Sequence, residues 1–130
     1  MTMEGVDPAQ LRALRDLAQL CKDRDLAALS QARGVVSETQ SRLATLDTVV
    51  ETAKTSAQGD AVSLAVLDVF LLTSQKQREG LMIELARARV RESEAQQRAV
   101  RSTGQVEVLE QMQGMHAEEI RLAKARRDLA

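Results

Sequence analysis

Few side chains in this sequence belong to types that do chemistry, and they do not cluster. The single histidine, His116, has Met112 one turn before it and Glu119 one turn after it. Because a protein metal site needs three or four converging ligands, we expect an ordinary helical histidine. The single cysteine, Cys21, falls on a predicted apolar helix face, where a thiol behaves as a small, inert apolar group. The sequence therefore predicts no catalytic residue, no metal site and no cofactor.

Motifs and charge also argue against enzymes and nucleic-acid binding. The sequence contains no glycine-rich phosphate loop and no nucleophile motif. Its 18 basic and 19 acidic residues give a formal net charge of −1, which provides no electrostatic attraction to nucleic acid. An extended helical hairpin offers no pocket for a small-molecule substrate. We expect a non-enzymatic protein whose partners are other proteins.

The composition favours long helices over a conventional globular core. Apolar residues make up 44% of the chain, but Phe70 is the only aromatic residue and Pro8 the only proline. This balance is typical of long helices or coiled coils. No uncharged apolar run reaches 18 residues, and the first residues do not follow the signal-peptide pattern. Since a lone cysteine cannot form an internal disulfide, we expect a cytoplasmic location.

Two helices account for nearly the whole sequence. Residues 1–6 are predicted to be a disordered tail. Asp7 and Pro8 form a strong helix start, because Asp caps free N–H groups and Pro lacks the N–H that would go unpaired. Residues 56–60 form the predicted turn, in which Asp60 can cap the next helix. We predict one domain over residues 7–130, with helix 1 at about 8–55 and helix 2 at about 61–129.

Apolar residues recur every three or four positions on both helices, the spacing of a helix–helix seam. On helix 1, an 11-residue step from Ala18 to Leu29 separates two stripes and predicts a stutter. The helix 1 stripes are Leu11, Leu14, Ala18 and Cys21, then Leu29, Ala32, Val36, Thr39, Leu43, Leu46, Val50 and Ala53; the helix 2 stripe begins at Leu64 and Leu67 and ends at Val106 and Leu109. The predicted fold is all-α, a long antiparallel two-helix coiled-coil hairpin.

The turn and the stripes together predict a register. In an antiparallel hairpin, facing residues have a nearly constant sum of residue numbers, and a sum of 117 places the midpoint in the turn. Val36 then faces Leu81, and Asp7 aligns with Glu110, so the C-terminal part of helix 2, residues 111–130, overhangs without a partner. Polar residues also fall within this seam. They act either as solvated edges or as layers that fix the register.

Two surfaces remain as candidate partner-binding sites. Apolar side chains near the turn project away from the seam, where they either dock a partner protein or are buried in a homodimer. This predicted set is Val49, Val66, Val69, Phe70 and Leu72. The overhang carries apolar and basic side chains that bind a partner or, for the basic ones, oppose the helix dipole. This second set is Met112, Met115, Ile120, Leu122, Arg121, Lys124, Arg126 and Arg127.

The order of these features resembles a known family. A Leu-rich start at residues 11–17 leads to residues 26–32 and 38–46, a turn lies near the middle, and a Gln- and Arg-rich return helix carries residues 106–112 near its end. This layout is similar to the stalk proteins of flagellar and type III secretion export, the FliJ/YscO-like family. The resemblance implies a coiled-coil rod that couples the export ATPase ring to the membrane export gate, with no enzymatic activity of its own.

The resemblance also implies which end meets which partner. Val66, Val69 and Phe70 would face the export gate, and Arg121, Lys124, Arg126 and Arg127 would lie at the ATPase end. The location would be the cytoplasm or the inner face of the bacterial inner membrane, with membrane association only through a partner. The alternative is a homo-oligomeric coiled-coil scaffold, or a helical export chaperone unrelated to an ATPase, in which the apolar surfaces are buried in a dimer.

Overall fold

The computed structural model describes residues 5–130, and two helices account for nearly all of them. Helix α1 spans Pro8–Ser56 and helix α2 spans Ala61–Leu129. No strand occurs among the described residues, so the all-α class predicted from the sequence is confirmed over this part of the chain. The predicted disordered tail falls on residues 1–6, of which residues 1–4 lie outside the described residues.

An aspartate caps the start of each helix. The backbone N–H of Ala9 donates to Asp7 Oδ1 at 3.0 Å, and Pro8 occupies the first helical position. At the start of α2, the hydroxyl and the backbone N–H of Ser63 donate to the Asp60 carboxylate, and the hydroxyl contributes most to lowering the Asp60 pKa. These hydrogen bonds satisfy N–H groups that have no partner inside the helix. Both caps follow from the sequence.

The described chain forms two compact units, each built from a segment of α1 and a segment of α2. Residues 30–94 form the first, which we call the turn unit. Its core contains Val36, Leu43, Leu85 and Ala88, with Leu81 packed against them. Thr39 is also buried, and its hydroxyl donates to the backbone carbonyl of Val35 at 2.8 Å. A polar group in this seam is therefore satisfied within its own helix.

Residues 5–29 and 95–130 form the second unit, which we call the terminal unit. Its core is made mainly of small side chains, and most of the buried positions on α2 are Ala or Ser. The buried residues are Leu11, Ala18, Asp25 and Leu29 on α1, and Ala95, Ala99, Ser102 and Val106 on α2. Small residues allow two helix backbones to approach closely.

The predicted stutter in α1 is wrong. Between Ala18 and Leu29, the half-buried Lys22 and the buried Asp25 continue the spacing of four, three and four residues. The three- and four-residue spacing of buried positions therefore continues through this segment, with polar residues in the seam. Leu14 lies outside the seam, because 52% of its surface is exposed.

The predicted register is also wrong, by about one heptad. In the turn unit, Arg78 Nε donates to Asp47 Oδ1 at 3.1 Å, and Arg42 Nη1 lies 3.7 Å from Glu84 Oε2. The residue numbers in these pairs sum to 125 and 126 rather than 117. A sum of 117 would place Asp47 opposite Phe70, about 12 Å along the helix from Arg78 at 1.5 Å per residue.

The terminal unit gives the same result by its own contacts. The Ser102 hydroxyl donates to the Asp25 carboxylate, and Arg15 Nη2 lies 3.4 Å from Glu110 Oε1. These numbers sum to 127 and 125. Apolar periodicity alone fixes the register only to within multiples of seven residues, since a shift by one heptad again places seam residues opposite each other. The polar contacts discriminate between these alternatives.

The corrected register shortens the segment of α2 that α1 leaves uncovered. Met112, Gln113 and His116 are half-buried, whereas every residue from 120 onward is exposed. Leu11 near the start of α1 is only 2% exposed. The predicted overhang of residues 111–130 is therefore wrong for its first turns.

Paired cysteines introduced into a Cys21→Ser background distinguish the two registers. We expect Val36→Cys with Ala88→Cys to form an intramolecular disulfide on mild oxidation, because both side chains are buried in the core of the turn unit and their residue numbers sum to 124, close to the sums of the observed ion pairs. Val36→Cys with Leu81→Cys is the matched pair for the sum of 117 and should oxidise more slowly. Non-reducing electrophoresis and mass spectrometry measure both. Faster oxidation of the second pair would restore the register predicted from the sequence.

Candidate functional site

The first candidate site lies on the turn unit and contains most of the apolar residues predicted for it. Val62, Val66 and Val69 follow each other at spacings of four and three residues, so they share one face of α2. All three are at least 65% exposed. Val62 was not in the predicted set, although it lies one turn before Val66. We call these three valines, together with Phe70, the turn surface.

Phe70 is half-buried rather than fully displayed. It lines a depression of about 550 Å³ together with Ala53, Ala57, Val66 and Leu67. The structure thus brings Val66 and Phe70 together. The other predicted residues, Val49, Val69 and Leu72, are exposed but do not line this depression. An aromatic ring beside a shallow apolar depression is a common anchor in protein interfaces.

A second apolar site lies in the terminal unit, and the sequence interpretation missed it. A groove of about 480 Å³ runs between α1 and α2 in this unit, and none of its lining residues is charged. The lining residues are Leu14, Leu17, Ala18 and Cys21 on α1, and Gly104, Gln105, Val108 and Leu109 on α2. We call this the terminal groove. The spacing of Leu14, Leu17 and Cys21 was the signal for this groove in the sequence, but Leu14 and Cys21 were predicted to lie in the seam.

Glycine and cysteine each shape this groove. A side chain added at Gly104 would meet no atom within 4 Å, so the glycine leaves open space in the groove wall. Cys21 was predicted to be buried in the seam, but it is half-buried and lines the groove. The groove therefore offers apolar carbon, one thiol and one amide, Gln105, to an incoming group.

The predicted C-terminal site is not one surface. Met112 is half-buried, whereas Met115, Ile120 and Leu122 are between 41% and 51% exposed. Arg121 forms a bidentate ion pair with Glu118, at 2.6 Å from Nη2 to Oε1 and 3.0 Å from Nε to Oε2. These hydrogen bonds lower the pKa of Glu118 and raise that of Arg121. Lys124, Arg126 and Arg127 are exposed, as expected for a basic helix end.

Asp25 is the one acidic or basic residue that is buried among the described residues. Its side chain is buried in the terminal unit, where the Ser102 hydroxyl and Arg24 Nε, at 3.2 Å, both donate to it. The hydrogen bond from Ser102 is the largest cause of its lowered pKa, and the charges of Arg24 and Arg98 add to the effect. A buried carboxylate needs such partners, so the arrangement is explained by structural demands alone.

His116 lacks the partners that Asp25 has. Both ring nitrogens are shielded from solvent, and neither has a hydrogen-bond partner within residues 5–130. An imidazole always carries at least one N–H, so a donor is left unsatisfied. The sequence predicted an ordinary helical histidine in an overhang, whereas the structure places it half-buried in the terminal unit.

Neither a metal-binding cluster nor a membrane-spanning helix occurs among residues 5–130. Within residues 5–130, no group of three His, Cys, Asp or Glu side chains is arranged to hold a metal ion. Neither described helix combines the length and the apolar character needed to cross a membrane.

The lowered pKa of Asp25 predicts acid-sensitive stability. A carboxyl group whose pKa is lower in the folded state stabilises the fold above its ordinary value of 3.8, and this stabilisation is lost as the pH falls through the folded-state pKa. We expect the urea midpoint of the wild type to fall more steeply between about pH 5 and pH 3 than that of Asp25→Asn. Far-UV circular dichroism at several pH values measures both. Parallel pH profiles would show that Asp25 has no such role.

Replacing the unsatisfied histidine should stabilise the protein. We expect His116→Leu to raise the free energy of unfolding by about 1 kcal/mol, because a buried donor without a partner is removed and apolar surface is gained. Gln111→Leu, at an exposed position five residues away on the same helix, is the control and should change stability little. Urea denaturation measures both variants. A loss of stability in His116→Leu would mean that the imidazole has a polar partner.

Comparison with known proteins adds no assignment. No protein-family model matches the chain, and neither a curated protein nor a solved structure matches it.

Proposed function

We propose that this protein is a non-enzymatic adaptor that docks another protein on its turn surface. The observation that carries the proposal is the exposed valine stripe beside the half-buried Phe70. Isolated apolar residues on a surface need no explanation, but a contiguous stripe marks a binding surface more often than chance exposure. The depression lined by Phe70 gives a partner side chain a place to insert.

We propose that α1 and α2 act together as an antiparallel coiled-coil hairpin. The three- and four-residue spacing of buried positions supports this in each unit, and so do the ion pairs that link the helices at the seam edges. In this arrangement, the C-terminal end of α2 overhangs α1 from about residue 120. The exposed Lys124, Arg126 and Arg127 then form a basic end available to an acidic partner.

Within this function, we propose a place in flagellar or type III protein export. The support is the resemblance of the Leu-rich start, the central turn and the Gln- and Arg-rich return helix to export stalk proteins. The turn surface would contact the export gate, and the basic end would lie in the export ATPase ring. The protein would act in the cytoplasm at the inner face of the bacterial inner membrane, without contacting lipid itself.

A second function is a homo-oligomeric scaffold or a helical chaperone that works without an ATPase. The exposed Leu14, Leu17 and Leu20 of the terminal unit favour it, since two copies could bury these side chains together. The two functions predict different oligomeric states, because a stalk occupies the centre of a ring as a single copy.

Charge placed on the turn surface should abolish docking without unfolding the helices. We expect Val66→Asp with Val69→Asp to weaken binding to the export gate protein at least about 30-fold, which corresponds to one hot spot of about 2 kcal/mol. Both valines are exposed, so helicity by circular dichroism should not change. Val90→Asp is the matched control, because Val90 lies in the turn unit, is 58% exposed and is not part of the turn surface.

Two measurements test this prediction, namely pull-down of the purified partner and motility of a deletion strain that expresses the variant. Normal motility of the double variant would contradict the export function. If Val90→Asp weakens binding as much as the double variant, the turn surface is not the docking site.

Sedimentation equilibrium separates the two functions. A monomer at micromolar concentration supports the stalk. A tight dimer that dissociates on substitution of Leu17 by Asp supports the scaffold instead, because Leu17 is exposed in the monomer and would be buried only between copies.

A further inference from the structure

We propose that the terminal groove binds an amphipathic helix of another protein, one that carries acidic side chains beside its apolar face. This site is separate from the turn surface, and the inference does not depend on the export function. Its support comes from the lining of the groove, the charges at one end and the methionines at the other.

The lining of the groove suits the apolar face of a helix. Two helices form its walls, Leu14 and Leu17 on one side and Val108 and Leu109 on the other. Leu17 and Val108 are 58% and 54% exposed, so they retain apolar surface for a partner to cover. Gly104 leaves space between these walls. Amphipathic helices bind such grooves through residues spaced three, four and seven apart.

The end of the groove nearer the buried Asp25 is basic. One heptad from Leu17, Val108 and Gln105 in that direction come Arg24, Arg101 and Arg98, and residues seven apart share a helix face. Arg24 and Arg98 both act on Asp25, so two positive charges share that one carboxylate. Arg101 adds a third positive charge about one turn from Arg98. The side chain of Arg24 is still 72% exposed. The uncompensated positive charge favours a partner with carboxylates at this end.

The opposite end of the groove carries methionines. One heptad from Val108 and Gln105 in the other direction come Met115 and Met112. Met115 is half exposed. Unbranched, polarisable methionine side chains adapt to the shape of a partner, which is why they are frequent on helix-binding surfaces. The groove is therefore directional, with an apolar, adaptable end and a basic end.

A second copy of this chain fits the groove less well. Apart from the buried Asp25, which Ser102, Arg24 and Arg98 already engage, the positions that share the face of the groove contain no Asp or Glu between residues 10 and 28 of α1 or between 97 and 115 of α2. Two copies that met through this face would leave the arginines without carboxylates. A lipid surface fits less well too, because a concave groove between two helices does not present its walls to a flat bilayer.

The probe for this site is a fluorescein-labelled synthetic helix of Leu and Glu, with Leu on one face and Glu on its flanks. A matched peptide with Lys in place of Glu is the comparison. Fluorescence anisotropy with the full chain measures binding. We expect the acidic peptide to bind and the basic peptide to bind at least about 10-fold more weakly, with the affinity for the acidic peptide falling as salt rises.

Two variants localise the binding. Gly104→Leu fills the groove and should lower the affinity for the acidic peptide at least about 10-fold. Gly80→Leu is its control, because a side chain added at this turn-unit glycine also meets no neighbour. Arg101→Glu should weaken binding of the acidic peptide and strengthen binding of the basic peptide. The double variant Val66→Asp with Val69→Asp should leave peptide binding unchanged, so the outcomes for the two sites are independent.

Four results would overturn the proposal. The first is equal binding of the acidic and basic peptides, and the second is an affinity unaffected by Gly104→Leu. The third is a dimer that dissociates only in Gly104→Leu, which would make a second copy the occupant. The fourth is binding of the chain to phosphatidylserine vesicles that Gly104→Leu abolishes, which would make the groove a lipid contact.

Discussion

The pairing of α1 with α2 depends on a small number of polar contacts, because apolar periodicity leaves the register open. A shift of seven residues again places seam residues opposite each other, so the same side chains can be buried in several ways. The pairs that remove this ambiguity are Asp25 with Ser102 in the terminal unit and Asp47 with Arg78 in the turn unit. They contribute unequally. An exposed ion pair contributes about 0.2–1 kcal/mol, whereas slipping a buried carboxylate away from its donor leaves a charge without compensation.

This dependence explains which parts of the fold the sequence could predict. Both caps, both helices and the α2 stripe from Leu67 to Leu109 follow from spacing and from residue type. The register does not follow, since choosing it requires knowing which polar side chains meet across the seam. The stutter was predicted from the 11-residue step between the apolar residues Ala18 and Leu29, a step that passes over the charged Lys22 and Asp25. Asp25 is tolerated there because Ser102, Arg24 and Arg98 stabilise its charge.

The two candidate sites also differ in whether the sequence could predict them. The turn surface could be predicted, because the start of α2 is apolar on more sides than one partner helix can cover. Some of these side chains must therefore face away from the seam. The terminal groove could not be predicted, because its existence depends on Leu14 and Cys21 lying beside the seam rather than in it. That placement goes together with the buried face of α1 that runs through Lys22 and Asp25. The terminal groove was therefore missed because the predicted stripe ran through Leu14 and Cys21 instead of through Lys22 and Asp25.

In the terminal unit, small side chains are buried and larger apolar side chains are exposed, and this distribution favours a binding function for that unit as well. Its seam buries Ala18, Ala95 and Ala99, while Leu17 and Val108 remain more than half exposed. Burying a leucine stabilises a fold by about 1.5–3 kcal/mol, and burying an alanine methyl group contributes less than half as much. A chain that needed only to hold its two helices together would place the larger side chains inside. Small residues in the seam bring the helices close and leave larger apolar side chains on the outside, which is the arrangement that a binding groove requires.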